Sequence, residues 1–297
     1  MPSIVGLEIR DASVLALVVD DQGVVRARAG AAGADLAAAA ILAVERVTPA
    51  PNGPVAMGIA TPNPENPSAA RAIESLVARF PDLFQPHAVV GSGTAAALAE
   101  SWTGAARGAS DLVYFGVAEH ATAGILRGGQ PFTGAHGRAP AAAWLSLNPV
   151  EREDYRRTGC LDAEVAAAGI VRRLIWRIKA GDTSRAQNMV DGDLAAIDVD
   201  HVFAAARDHD GVSISVMRDT ARYLGMAAAN LVALADPEVL VLGGIMASAA
   251  DLLIEPLRSE LTRRLPASMA NALTIVIASL GADAAALGAA RRAFPSP

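Results

Sequence analysis

Apolar positions near the N-terminus alternate with a period of two. Val5, Leu7 and Ile9 share one face, Arg10 and Asp11 break the run, and apolar residues resume from Val14 to Val19. The turn Asp20-Asp21-Gln22-Gly23 leads into Val24-Val25. A period of two with a glycine turn predicts a three-stranded antiparallel meander. From Ala34 to Val47 the period becomes helical, with Leu36, Ala40, Val44 and Val47 on one stripe before Pro49. Val55 to Ala60 reads as a buried strand closed by Thr61-Pro62-Asn63-Pro64, since proline cannot donate to a ladder. Ala69 to Phe80 has the pattern of an amphipathic helix.

The next stretch runs from a short strand, Ala88 to Val90, through Gly91-Ser92-Gly93 into an alanine-rich helix reaching Glu100. Three uses suit such a turn. Its backbone N–H groups could cradle an anion, Ser92 could be a nucleophile on a sharp turn, or Ser92 or Thr94 could cap the helix. Local sequence leaves all three open.

From Asp111 the first pattern returns. Leu112 to Val117 is a strand, Ala118-Glu119-His120 a break, Ala121 to Leu126 a strand, Arg127-Gly128-Gly129 a turn, and Pro131 to Thr133 a third strand. A repeat at about 110 residues predicts two related domains with a ligand cleft between them. The second half is mostly helical. Cys160 to Ile178, Val212 to Leu234, Leu252 to Arg264 and Ala282 to Phe294 are predicted helices. Val239 to Leu242 and Leu273 to Ala278 are predicted strands, and 138–143 and 151–158 read as loops.

Composition narrows this picture. The 297 residues exceed one core's usual size, which favours two domains. The net charge of −6 gives no footprint for nucleic acid, and no apolar run spans a bilayer. Glu8, Arg10 and Asp11 interrupt the first apolar stretch, so no secretory signal is expected there. A single cysteine, Cys160, excludes an internal disulfide and fits a reducing cytoplasm. The sole lysine, Lys179, leaves no Gly-rich loop with a phosphate-gripping lysine.

Ala229-Asn230-Leu231, Asp236-Pro237-Glu238-Val239, Leu242-Gly243-Gly244 and Gly281-Ala282-Asp283-Ala284 resemble the C-terminal half of the ROK family, the bacterial sugar kinases and sugar-responsive repressors. Gly159-Cys160-Leu161-Asp162 resembles the segment after that family's zinc loop. The resemblance implies an α/β, actin-like ATPase (ribonuclease H-like) fold with two related domains and a central cleft. The expected division is 1–110 and 111–281, with the closing segment 282–297 returning to the first domain.

What the resemblance implies about chemistry can be followed residue by residue. Family kinases carry an Asn-Asp pair where Gly91-Ser92 stands, and that aspartate is the general base. Serine cannot take a proton at neutral pH without its own base; losing a positioned base costs ~10² to 10⁴ in rate. The first phosphate turn, Asp-x-Gly-Gly-Thr in the family, reads Glu8-Ile9-Arg10-Asp11-Ala12. The second, a Gly-Thr-Gly turn, reads Ala118-Glu119-His120-Ala121. The sugar-contacting Glu-x-Gly-His motif aligns with Ala141-Ala142-Ala143-Trp144, and the Cys-x-Cys zinc arm with Glu153-Asp154-Tyr155. One cysteine cannot build a tetrahedral zinc site, so no zinc is expected and Cys160 reads as a small buried residue. Asp162 stands where the family has a sugar-contacting glutamate; a surface or helix-capping role is the competing reading. Gly243-Gly244 lie where adenosine would sit, unless they serve strand-to-helix packing.

These residues point to a member that keeps the scaffold without the kinase chemistry. It would bind a sugar or nucleotide, or a protein partner, through candidates Glu8, Gly91, Ser92, Asp162, Gly243 and Gly244. The alternative is an ATP-dependent sugar kinase with a rearranged site, ATP and Mg as cofactors, and Glu119 or His120 as base. A repressor role is disfavoured by the acidic charge and by a chain that starts directly at its first strand. A Ser92–His120–Glu8 hydrolase constellation would need Ser92 within hydrogen-bond reach of His120. The apolar helices could support a homodimer.

Overall fold

A computed structural model of the chain describes residues 3–48, 54–63 and 66–294. Pro49, Pro64 and the last three residues of 282–297 lie outside the described residues. The meander is present as β1 (Ser3–Ile9), β2 (Ser13–Asp20) and β3 (Val25–Ala32), with Leu7 opposite Ala16 and Leu15 opposite Gly30. β3 is longer than Val24-Val25 because it is an edge strand whose outward positions are polar. Arg26 and Arg28 point away from the core and pair with Asp20 and Asp283. β4 (Ala56–Thr61) and β5 (Phe84–Gly91) add in parallel, giving the order β3-β2-β1-β4-β5. Helices α1 (Leu36–Val47) and α2 (Pro67–Arg79) bury Leu36, Val44 and Leu76 against this sheet. Asp35 caps α1 by accepting the N–H groups of Ala37 and Ala38.

The second sheet repeats this plan. β6 (Leu112–Val117), β7 (Ala121–Arg127) and β8 (Gln130–Pro131) form the meander; β9 (Val239–Gly244) and β10 (Thr274–Ile277) extend it in parallel. Its order, β10-β9-β6-β7-β8, mirrors the first when read backwards. Between the sheets run α3 (Ser92–Trp102) and, at the end of the chain, α13 (Ala284–Ala293). The closing helix lies so near the first sheet that a Cβ on Gly6 would stand 1.9 Å from the Ala286 carbonyl oxygen. Buried Glu100, in α3, accepts the N–H groups of Ala105, Ser279 and Leu280 and so ties α3 to the segment leading into α13.

The remaining helices are α4 (Glu153–Thr158), α5 (Cys160–Val165), α6 (Ala167–Lys179), α7 (Arg185–Met189), α8 (Val199–Arg207), α9 (Gly211–Ala235), α10 (Ile245–Ser248), α11 (Ala250–Arg264) and α12 (Ala267–Ala272). Two expectations change here. The stretch 151–158 is not all loop, because α4 forms and buries Tyr155. The helix expected from Cys160 to Ile178 breaks at Ala166, whose φ of −61° and ψ of 156° are extended. α7 and α8 are capped by Ser184 and Asp198, whose side chains each accept a backbone N–H. Among the described residues no helix is long and apolar enough to cross a membrane.

Candidate functional site

The two meanders meet at their first turns, with the start of α3 between them. Gly91 is the N-cap of α3, and no side chain caps the helix, so neither Ser92 nor Thr94 does what a cap does. Ser92 turns instead to β1, where its hydroxyl donates to Glu8 Oε1 at 2.8 Å. Both groups are buried. The other Glu8 oxygen takes the Nε–H of Arg10 at 2.7 Å, and Arg10 reaches on to the Ala282 carbonyl at 2.8 Å. The two glycines differ. A Cβ on Gly93 would lie 2.3 Å from the Ala123 oxygen of β7, whereas one on Gly91 would meet nothing. Gly93 is thus fixed by backbone contact with β7, while Gly91 faces open space.

His120 links the two lobes. Its Nε2 is 2.8 Å from Asp11 Oδ2 on the β1–β2 turn, and its Nδ1 is 3.0 Å from Asp162 Oδ2 on α5. The hydrogen bond that the ring donates to Asp162, that carboxylate's charge and Asp11 outweigh desolvation and raise the His120 pKa to about 9. The imidazole is therefore protonated at neutral pH and cannot act as a base. Asp162 is 4% exposed and its Oδ1 accepts the Ala121 N–H at 2.5 Å. It is neither a surface residue nor a cap; Gly159 is the N-cap of α5, and no side chain caps that helix. With both ring nitrogens of His120 on aspartates and Ser92 on Glu8, no Ser92–His120 hydrogen bond forms, and the hydrolase constellation is absent. Glu119 is exposed on the cleft wall.

Two cavities open from this junction, and Ser92 and His120 line both. One, of about 360 Å³, has Glu8, Arg10, Tyr114, Glu119 and Gly244 on its walls. The other, of about 450 Å³, has Asn66, Gly91, Thr94, Ala141, Trp144 and Arg157. Asp162 lines neither. Tyr114 is a wall residue that sequence reading passed over. Its ring fills the space above Gly116 and Gly243, where a Cβ would sit 2.6 and 2.2 Å from the hydroxyl oxygen. Burial pushes its phenol pKa up, and the Glu100 and Glu8 charges add to that. The signal was present: Tyr114 and Gly116 are two apart on one strand and so share a face. Gly244, at φ 63°, would place a Cβ 1.9 Å from the Val117 oxygen. Both glycines of the pair are accounted for by packing.

The groups that the resemblance implies do not fit these residues. A triphosphate in the cavity with Glu8 and Glu119 on its walls would meet two carboxylates, and the guanidinium that lines it, Arg10, is already held by Glu8 and Ala282. Buried Cys160 receives the Leu147 N–H, and Tyr155 donates its hydroxyl to Glu164, which also holds Arg152. Among the described residues no cluster of three or more His, Cys, Asp or Glu could hold a metal ion.

Known proteins share this architecture. A ROK family glucokinase from Streptomyces griseus, solved with glucose and AMPPNP, superposes with a TM-score of 0.80 at 22% identity, covering 97% of this chain and 98% of its own. A ROK family transcriptional regulator homologous to the E. coli MLC protein gives 0.81 at 19% identity, covering 98% of this chain and 77% of its own. The actin-like ATPase fold follows from these likenesses. In sequence, a glucokinase from Halalkalibacterium halodurans is 32% identical over 197 residues, 65% of this chain and 59% of the relative. One from Thermotoga maritima is 28% identical over 194 residues, 65% and 61%. The match thus spans about three fifths of these curated relatives. The ROK family model matches residues 60–293, and the chain belongs to the ROK family.

Proposed function

We propose that this sugar kinase-like chain binds a small sugar metabolite in the cleft without transferring phosphate to it. What supports the reading is that the residues which the resemblance sets at the phosphate turns are engaged with one another by hydrogen bonds and ion pairs. Glu8 is held by Ser92 and Arg10, and Asp11 is joined through His120 to Asp162. A serine hydroxyl donated to a carboxylate is not a general base, and a protonated imidazole is not one either. Sugar is the expected ligand class, because the relatives include glucokinases and an N-acetylglucosamine repressor. Glu119 is the remaining exposed carboxylate on the phosphate side, so a rearranged kinase would have to work through it.

The test is ATP-dependent phosphorylation of a panel of hexoses and amino sugars, run with the chain and with Glu119→Gln, beside a thermal-shift screen of the same sugars. The reading expects no turnover and a raised melting temperature with at least one sugar. Turnover that Glu119→Gln abolishes overturns it in favour of the kinase.

A further inference from the structure

One wall of the cavity beside Trp144 comes from a single stretch of chain, residues 137–144, which Arg157 and Thr158 join from the end of α4. Little of this region is regular beyond the helical turn Ala142–Trp144 and α4 itself. The link between them, 145–152, contains neither helix nor strand. A segment without a ladder keeps its shape only through the partners that its polar groups and side chains find elsewhere.

Those partners converge on Glu164 of α5, a carboxylate 2% exposed. The Tyr155 hydroxyl of α4 donates to Glu164 Oε1, and Arg152, at the end of the link, donates to the same oxygen at 3.1 Å. Asn148, in the middle of the link, donates its side-chain N–H to the Tyr155 oxygen at 3.1 Å and accepts the Val150 N–H at 3.0 Å. The Arg152 guanidinium lies 5.5 Å from the centre of the Tyr155 ring. Beside this network the Leu147 N–H reaches Cys160 Sγ at 3.5 Å, and a Cβ on Gly159 would stand 2.2 Å from the Ala143 oxygen. Link, α4 and cavity wall are thus tied to α5, with Glu164 as the charged anchor. None of Glu164, Tyr155 and Arg152 lines the cavity.

We infer that Glu164 is a positioning residue for the ligand cavity: through Tyr155 and Arg152 it fixes the wall that carries Trp144 and Arg157. This rests on the sugar-binding reading above and deepens it. A wall ordered before the ligand arrives spares binding the cost of ordering it. Where only a fraction of molecules hold the wall in place, apparent affinity falls by that fraction. A buried carboxylate suits the task, because leaving it unpartnered is costly and so its two donors are held firmly. Removing it orphans both donors at once and releases the link.

Calorimetric titration with hexoses and amino sugars, glucose and N-acetylglucosamine among them, compares the full chain with Glu164→Ala, Glu164→Gln and Tyr155→Phe. Hydrogen exchange and thermal melting are measured beside it. Glu164→Ala should weaken whichever sugar the unaltered chain binds by at least about tenfold, although residue 164 lies off the cavity wall. The amides of Trp144, Leu145 and Leu147 should exchange at least about tenfold faster, while those of β1 and β6 keep their rates. Tyr155→Phe should act in the same direction by about threefold, and it carries the test if Glu164→Ala does not fold. Glu164→Gln keeps an acceptor oxygen for Tyr155 and should recover most of the affinity. Unchanged affinity with a lowered melting temperature, or exchange that quickens evenly over the chain, is what a merely structural role gives, and either overturns the inference. Glu164→Gln as weak as Glu164→Ala overturns it too. Where the unaltered chain binds none of the sugars, the sugar-binding reading fails, and the exchange rates alone decide whether Glu164 fixes the wall.

Discussion

The seam where α3 meets β7 and α13, and the rim of turns beside it, follow different rules. In the seam backbone touches backbone. A Cβ on Gly288 would lie 1.6 Å from the Ala95 oxygen, and one on Gly93 2.3 Å from Ala123. No side chain fits, so the fold dictates these residues. On the rim, Glu119 and Gly91 face open space, and Asp11 and His120 pair across the lobes. Packing does not fix the residue type there. The chain superposes on the Streptomyces griseus glucokinase at a TM-score of 0.80 although only 22% of residues agree. The rim carries the candidate chemistry, and a shared scaffold constrains that chemistry little.

Substitutions can break this contrast, beginning with the seam. Glu100→Ala would leave the N–H groups of Ala105, Ser279 and Leu280 without their acceptor. A loss of about 4 kcal/mol is expected by denaturant unfolding. Gly93→Ala should cost about 3 kcal/mol, since a backbone must move, whereas Gly91→Ala two residues away should stay within about 0.5 kcal/mol. Equal costs for these two glycines would erase the distinction between seam and rim.

The rim predictions are smaller. Ser92→Asp places a second carboxylate where the hydroxyl now donates to Glu8 at 2.8 Å. It should destabilise the chain by about 2 kcal/mol at pH 8 and regain that stability in acid, as a carboxylate takes up a proton. On the proposed reading it should also produce no sugar phosphorylation. The His120 pKa is raised on folding to about 9, so its contribution to stability is full below its ordinary value of 6.5. That contribution falls as pH rises through 9. After allowance for partial exposure it is on the order of 1 to 2 kcal/mol. Melting temperatures between pH 6.5 and 9.5 should therefore fall more for the chain than for His120→Gln.

The seam and the rim were not equally legible in the sequence. Alternation, helical spacing and the recurrence of the meander give both sheets and most long helices, because burial imposes a period on the residues that face a core. β3 was underestimated, since an edge strand buries too little to show that period. The rim can be read as departures from a motif: Ser92, Asp11, Glu119 and His120 are visible as replacements. Which of them pair is not visible. Ser92 with Glu8 are 84 positions apart and His120 with Asp11 109, and only the folded chain brings such partners together. Asp162 misled for the same reason: a polar residue near a helix start suggests a cap, and its partners lie about 40 residues upstream.

We propose that the protein's own hydrogen bonds and ion pairs close the phosphate region. Calorimetric titration of Mg·ATP into the full chain, with and without a saturating sugar, addresses it most directly. No saturable heat is expected up to ligand concentrations of about 5 mM, whether or not sugar is present. Saturable binding with a Kd below about 1 mM would show that Asp11 and His120 part to admit a triphosphate, and would contradict it.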